Sequence, residues 1–263
     1  MFDVRQFGVQ ADGRDVTDAV EAAFKAARDN HGGVIYFPRG RYLLSRMVRI
    51  PKYVTLKGEG SGLTSLMWTD FADPPDALLR GSNHFAIEDT TLYASNYRDV
   101  IESDTATTED GEPGNIRIKN VVVRAVLYRG HLQPAQVDDL FKKFLKLSSG
   151  GGDTLHLGGK NIVIEGGDFY GSGRSLYLYH PIGARIVNNK FYNGRWGWYC
   201  ITGSDGVIFE HNQIIGGDLM ATGGGINTMG SSFSRNLYFA DNDLSQMHGF
   251  DREAVTTDGP GGY

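Results

Sequence analysis

Little in this sequence can hold a disulfide, a metal or a bilayer. The 263 residues include one cysteine, Cys200, so no intrachain disulfide can form and the redox compartment is unmarked. Apolar runs are strand-sized, far short of the roughly 20 residues a helix needs to span a membrane. A net charge of −5 with interspersed signs leaves no basic surface for nucleic acid or anionic lipid. His-Glu-x-x-His pairs, paired cysteines, Walker loops and dinucleotide loops are all missing, which removes support for zinc, nucleotide and dinucleotide chemistry. The expected cofactor is none, and so is the expected metal. Met1 leads straight into a structural motif rather than a signal peptide, as it also would in an exported protein expressed without its leader.

What is present is a repeat. Ile186-Val187-Asn188-Asn189-Lys190-Phe191 is echoed at Ile87–Leu92, Ile118–Val123, Ile164–Phe169, Phe209–Ile214 and Phe239–Leu244. Each copy runs apolar, free, then two positions rich in Asn, Asp or Gly, free, apolar. The starts fall 31, 46, 22, 23 and 30 residues apart. A core period of 22–23 with longer insertions is the signature of a solenoid, whose repeats bury their apolar faces only against their neighbours. The 36 glycines, well above the average of roughly 7% and without a collagen period, suit its many tight turns.

The first 60 residues are the most specific. Phe2-Asp3-Val4-Arg5-Gln6-Phe7-Gly8 leads to Ala11-Asp12-Gly13 and then Asp15-Val16-Thr17-Asp18. Asp15 or Thr17 is placed to cap a helix reaching about Arg28, with Val20, Ala23, Phe24 and Ala27 on one face. Gly32–Pro38 (GGVIYFP), Gly40–Leu44 and Val54–Gly60 (VTLKGEG) follow. This order resembles the N-terminal cap and first coils of the pectate-lyase-like superfamily, which includes glycoside hydrolase family 28-related proteins and phage tailspikes. With the repeats, the resemblance extends over nearly the whole chain. It implies an all-β fold, a right-handed parallel β-helix with an N-terminal capping helix, as one domain over 1–263. It does not name a reaction, because that superfamily hosts hydrolases, lyases, transferases and binding proteins.

Two insertions interrupt the repeat. Residues 102–114 form an acidic loop that offers Asp104, Glu109, Asp110 and Glu112 to a hard cation, yet it lacks the spacing of a known cation loop and reads as a solvated excursion. Residues 129–150 hold an apolar stripe at Val137, Leu140, Phe141, Phe144, Leu145 and Leu147, which predicts a helix over 137–147 packed on the solenoid flank, in a groove wall or at a subunit interface. That helix, and a last coil at Tyr263 with no capping helix, make a homo-oligomer or a longer chain an expectation.

Each repeat is followed by a second strand-like stretch: Arg98–Ser103, Asp153–Gly158, Arg174–His180, Trp196–Thr202, Gly223–Met229 and Asp251–Gly259. Stacked coils lie about 4.8 Å apart and side chains alternate inward and outward. Taking Leu155, Leu157, Leu176, Leu178, Ile201 and Ile226 as inward leaves His156, Tyr177, Tyr179, Trp198, Cys200 and Asn227 outward, with Glu253 next. Aromatic rings and planar amides on one face suit a polysaccharide or oligosaccharide, so Tyr177, Tyr179, Trp198, Asn227, Arg252 and His248 are the expected substrate-binding residues. Asp251 and Glu253 would point the same way on a strand, roughly 6–7 Å apart. Such paired carboxylates are what glycoside hydrolysis requires. Asp251, Glu253, the reserve Asp258 and the proton-transfer partner His156 are therefore the expected catalytic residues of a glycoside hydrolase. Thr257-Asp258-Gly259 is similar to a family 28 element, but Thr256 stands where its Asn belongs and its further motifs are missing. The rivals are a polysaccharide lyase acting on uronate sugars, a glycosyl-transferring enzyme and a tailspike-like protein that binds glycan without turnover. The expected location is extracellular or periplasmic. His180 before Pro181 and His211 in a repeat turn read as structural.

Overall fold

Strands form where apolar residues recur every second position. Val54–Gly58 and Thr64–Trp68 each bury their first, third and fifth residues and leave the two between them half-exposed. A computed structural model describes residues 1–126, 153–171, 174–193, 199–216, 226–227, 235–245 and 255–256. Throughout those residues the named strands pair in parallel, each with the strand one turn further along the chain. The result is a right-handed parallel β-helix.

The coil has three faces. The first runs from Val48–Ile50 through Ala77–Gly81, Asp99–Ser103, the start of Leu155–Glu165, Tyr177–Ile182 and Tyr199–Thr202 to Ile226–Asn227 and Val255–Thr256. The second runs from Phe2–Asp3 and Gly33–Phe37 to Tyr238–Ala240, and the long strand Leu155–Glu165 belongs to both. The third is an eight-stranded sheet from Gly40–Leu44 to Asp243–Ser245.

Register stacks like on like in the core. On the second face Ile35, Leu56, Ile87, Ile118, Ile164, Ile186 and Phe209 form one file, each almost wholly buried. On the third, Leu66, Leu92, Val123, Phe169, Phe191 and Ile214 form another. The Phe169 and Phe191 rings stack at 5.3 Å. Each buried side chain of this size contributes roughly 1.5–3 kcal/mol, so every coil added to a file adds to the stabilising burial.

The repeat motif is the corner between these two files. Its third residue is Asp89, Asn120, Gly166, Asn188, His211 or Asp241, and all six have positive φ, between 51° and 65°. Asn, Asp, His and Gly reach that left-handed conformation at least cost, which explains both the shared composition and its tolerance. The fourth residue does different work. Asn189 and Asn212 are buried, and each donates from Nδ2 to a backbone carbonyl, Ile164 O and Ile186 O, at 2.9 Å. Asn242 continues the ladder by accepting from Asn212. The ladder ends at Gly167, where an added Cβ would lie 2.3 Å from the Phe169 ring and whose N–H instead donates to Asn189.

At the N-terminal end Thr17–Asp29 is the expected helix. Asp15 Oδ1 accepts from Thr17 N at 2.9 Å, and Val20, Ala23, Phe24 and Ala27 are buried against the first coils. The helix expected over 137–147 lies outside the described residues.

Candidate functional site

Along the first face, register builds one file of paired positions: Arg49, Arg80, Glu102, His156, Tyr177, Cys200, Asn227 and Thr256. His156, Tyr177, Cys200 and Asn227 thus occupy equivalent positions of successive coils, about 4.8 Å per step. Leu155, Leu157, Leu176 and Leu178 are buried between them, as alternation requires. Tyr179 stands in the adjoining file with Gly158 and Thr202, 37% exposed. Trp198, His248, Asp251, Arg252, Glu253 and Asp258 lie outside the described residues. Beside Asn227 the register sets Thr256.

The densest chemistry surrounds His156. Its Nδ1 is 3.0 Å from Asp99 Oδ2, and the other Asp99 oxygen accepts from Asp153 N. With Nδ1 held by a carboxylate, Nε2 is left as the nitrogen able to exchange a proton. The Tyr177 ring packs on the imidazole at 4.7 Å between centroids. Arg174 lies over Tyr177, its guanidinium carbon 4.4 Å from the ring centroid. Arg174 also grips the fully buried Asp153 through Nε at 2.6 Å and Nη2 at 2.8 Å.

Burial alone would lower the His156 pKa, but the hydrogen bond to Asp99 and the charges of Asp99, Asp153 and Glu102 outweigh it and raise the value. Burial pushes the Asp153 carboxyl up, to about 6, against the opposing pull of Arg174. Burial likewise raises Glu102, one coil before His156. Glu102 Oε2 is buried without a hydrogen bond; Arg80 Nη1 comes only to 3.5 Å. Asp99, Asp153 and His156 present ligand atoms within 4.8 Å of one another, although Arg174 already occupies both Asp153 oxygens.

Sequence reasoning marked His156, Tyr177 and Tyr179 and passed over Asp99, Glu102, Asp153 and Arg174. Each of those four sits in a stretch already recognised as a strand, so alignment could have found them. Their burial, which gives them their chemistry, leaves no trace in composition.

Comparison with known proteins places the chain in a family. The family described as "Rhamnogalacturonase A/epimerase, pectate lyase-like" matches residues 1–214. The chain belongs to that family. Among relatives of this pectate lyase-like chain, Alginate lyase 7 of Azotobacter vinelandii is 26% identical over 227 residues, which covers 79% of this chain and 24% of that protein. The chain therefore spans about a quarter of that relative's length. The N-terminal fragment of gene product 12 from bacteriophage Phi29 superposes with a TM-score of 0.57 at 16% identity, over 92% of this chain and 42% of that one. The catalytic unit of a GH87 alpha-1,3-glucanase from Streptomyces thermodiastaticus gives 0.55 at 14%, over 97% and 50%. These two establish the fold.

In this pectate lyase-like chain the acidic loop is pinned, not free. Asp104 is buried between Arg80, at 3.1 Å, and Arg49, at 3.2 Å. Asp110 accepts from Ser82, and Glu112 pairs with Lys160. Three of the four carboxylates considered for a cation are thus taken by groups of the protein. His211 sits at positive φ in the bend of its repeat, as its sequence position suggested, whereas His180, also at positive φ, lies within the strand Tyr177–Ile182 and not at a turn, because Pro181 continues the extended chain. No helix among the described residues is long and apolar enough to cross a membrane.

Proposed function

We propose that the chain breaks a uronate-containing polysaccharide by β-elimination, with His156 as base and Tyr177 as acid. The observation that carries the reading is the file Glu102, His156, Tyr177 with Asp99 fixed on the far side of the imidazole. Elimination needs three services, and this file offers each on a successive coil. Glu102, drawn toward its neutral form by burial, can donate a hydrogen bond to the sugar carboxylate, with Arg80 behind it. His156 Nε2 takes the proton from the carbon bearing that carboxylate. The electrons left behind form the ring double bond as the glycosidic carbon–oxygen bond breaks, and the Tyr177 hydroxyl protonates the departing oxygen. Proton exchange with water restores both groups.

The similarity to a protein named as an alginate lyase supports the same class of substrate. A polymer of this kind is met outside the cytoplasm, in keeping with an extracellular or periplasmic site of action. The hydrolytic reading rests on Asp251 and Glu253, with Asp258 in reserve. It requires paired carboxylates flanking an open bond; Asp99 and Asp153 are instead buried and committed to His156 and Arg174. Incubation with alginate, polygalacturonate and neutral glucans tests the choice. Elimination gives products with a conjugated, ultraviolet-absorbing end from the acidic polymers alone. Reducing ends without that absorbance would overturn it in favour of hydrolysis, and binding without products in favour of a tailspike-like role.

A further inference from the structure

The third face, away from His156, carries a second outward file: Met67, Tyr93, Arg124, Tyr170 and Tyr192 in register on successive coils. Tyr93 is 37% exposed and Tyr170 43%, and the Tyr170 and Tyr192 rings lie 5.9 Å apart. Between the tyrosines, Asp168 grips the Arg124 guanidinium at 3.0 and 2.8 Å. At one end the file opens into a cleft of about 750 Å³ bordered by Arg41, Leu63 and Tyr93. Arg41 and Lys190, on this face, have no acidic partner among the described residues, and Lys190 Nζ lies 5.9 Å from the Tyr192 ring centroid.

We propose that this file is a non-catalytic track for an extended acidic polysaccharide, a second binding site for the polymer cleaved on the first face. The substrate class rests on the reading above; the track rests on geometry. A coil step of about 4.8 Å is close to the length of one pyranose unit in an extended chain, so each ring or guanidinium meets one sugar. Tyrosines and a fixed guanidinium offer flat surfaces to sugar faces, while Arg41 and Lys190 meet carboxylates. A dry apolar contact with a second copy would instead strand these cations. Holding the polymer here would keep it near the cleaving face between turnovers.

Native gels cast with alginate or polygalacturonate, with dextran as the uncharged control, test this. The chain is expected to be retarded by the acidic polymers and released by salt. Tyr93→Ala with Tyr170→Ala should weaken retention roughly tenfold, equivalent to about 1.4 kcal/mol. His156→Ala should leave retention in place. The tyrosine double variant should cleave short oligosaccharides at the normal rate but show a raised KM on polymer. If that variant fails to fold by circular dichroism, Arg41→Ser with Lys190→Ser carries the same expectation. Unchanged retention in the folded variant overturns the track, as does a sedimentation shift showing that an oligomer has fallen apart. Because retention is read without turnover, it can succeed even where the elimination mechanism fails.

Discussion

His156 Nδ1 and Asp99 Oδ2 lie 3.0 Å apart, joining residues 57 positions distant in the chain. A carboxylate that is 8% exposed thus fixes the tautomer of an imidazole that is 24% exposed, and leaves Nε2 as its other ring nitrogen. The catalytic proposal depends on this contact.

Asp99→Asn should therefore lower the His156 pKa and slow the reaction. As the base, His156 must be neutral, so activity should rise as pH climbs through its folded pKa, above 6.5. The stability linkage runs the other way. A raised histidine pKa contributes stability that is complete below about 6.5, the unfolded value, and is lost as pH rises through the folded value. In Asp99→Asn the rising limb of the pH–rate profile should move to lower pH and kcat should fall roughly 100- to 10,000-fold. A profile left where it was would contradict the contact's role.

Glu102→Gln separates the two chemistries. If Glu102 serves in its neutral form, an amide can donate the same hydrogen bond and kcat/KM should stay within about tenfold, or 1.4 kcal/mol, of the parent. Were Glu102 the proton donor of a hydrolase, the amide would abolish turnover. Steady-state kinetics on the preferred polymer decides.

Tyr177→Phe keeps the ring that packs on His156 and under Arg174 but removes the hydroxyl. The expected result is a kcat lower by roughly 100-fold or more with KM little changed, since only the proton donor is lost. A parallel rise in KM with normal kcat would make Tyr177 a binding residue.

Arg174→Met leaves Asp153 buried without its fork and should cost about 3–5 kcal/mol. Adding Asp153→Leu should recover most of that loss, because the pair is then replaced and not broken. Denaturant unfolding of the single and double variants measures both steps, and a single variant as stable as the parent would refute the pairing.

Within the repeat, adjacent asparagines should respond differently. Asn188 is at φ 56°, so Asn188→Val should cost about 1–2 kcal/mol while Asn188→Gly is tolerated. Asn212→Ala opens the ladder on both sides, removing the amide bond to Ile186 O and the acceptor of Asn189 N, and should cost about 1–3 kcal/mol. Thermal unfolding of the three variants gives the ranking.

These contrasts indicate what the sequence could convey. The left-handed corner announces itself through Asn, Asp, His and Gly, because conformational cost selects composition directly. The alternation that put Leu155 and Leu157 inside and His156 outside is just as direct, and it aligned Tyr177, Cys200 and Asn227 on the same file. Asp99, Asp153 and Arg174 were harder to see. Their meeting depends on a 54-residue excursion closing in register, and an aspartate at a strand start looks the same whether it is solvated or buried. The acidic loop was legible only in part: Glu109, Asp110 and Glu112 are exposed as a solvated excursion requires, while Asp104 is buried between Arg49 and Arg80, which come from coils more than 20 residues earlier.

The most direct test of the central claim is the mass of the oligosaccharides released from alginate or polygalacturonate by the intact chain, compared with His156→Ala. Elimination predicts fragments whose new non-reducing ends are lighter by one water than hydrolytic fragments, and none from the variant. Fragments of full hydrolytic mass, or equal yield from His156→Ala, would contradict it.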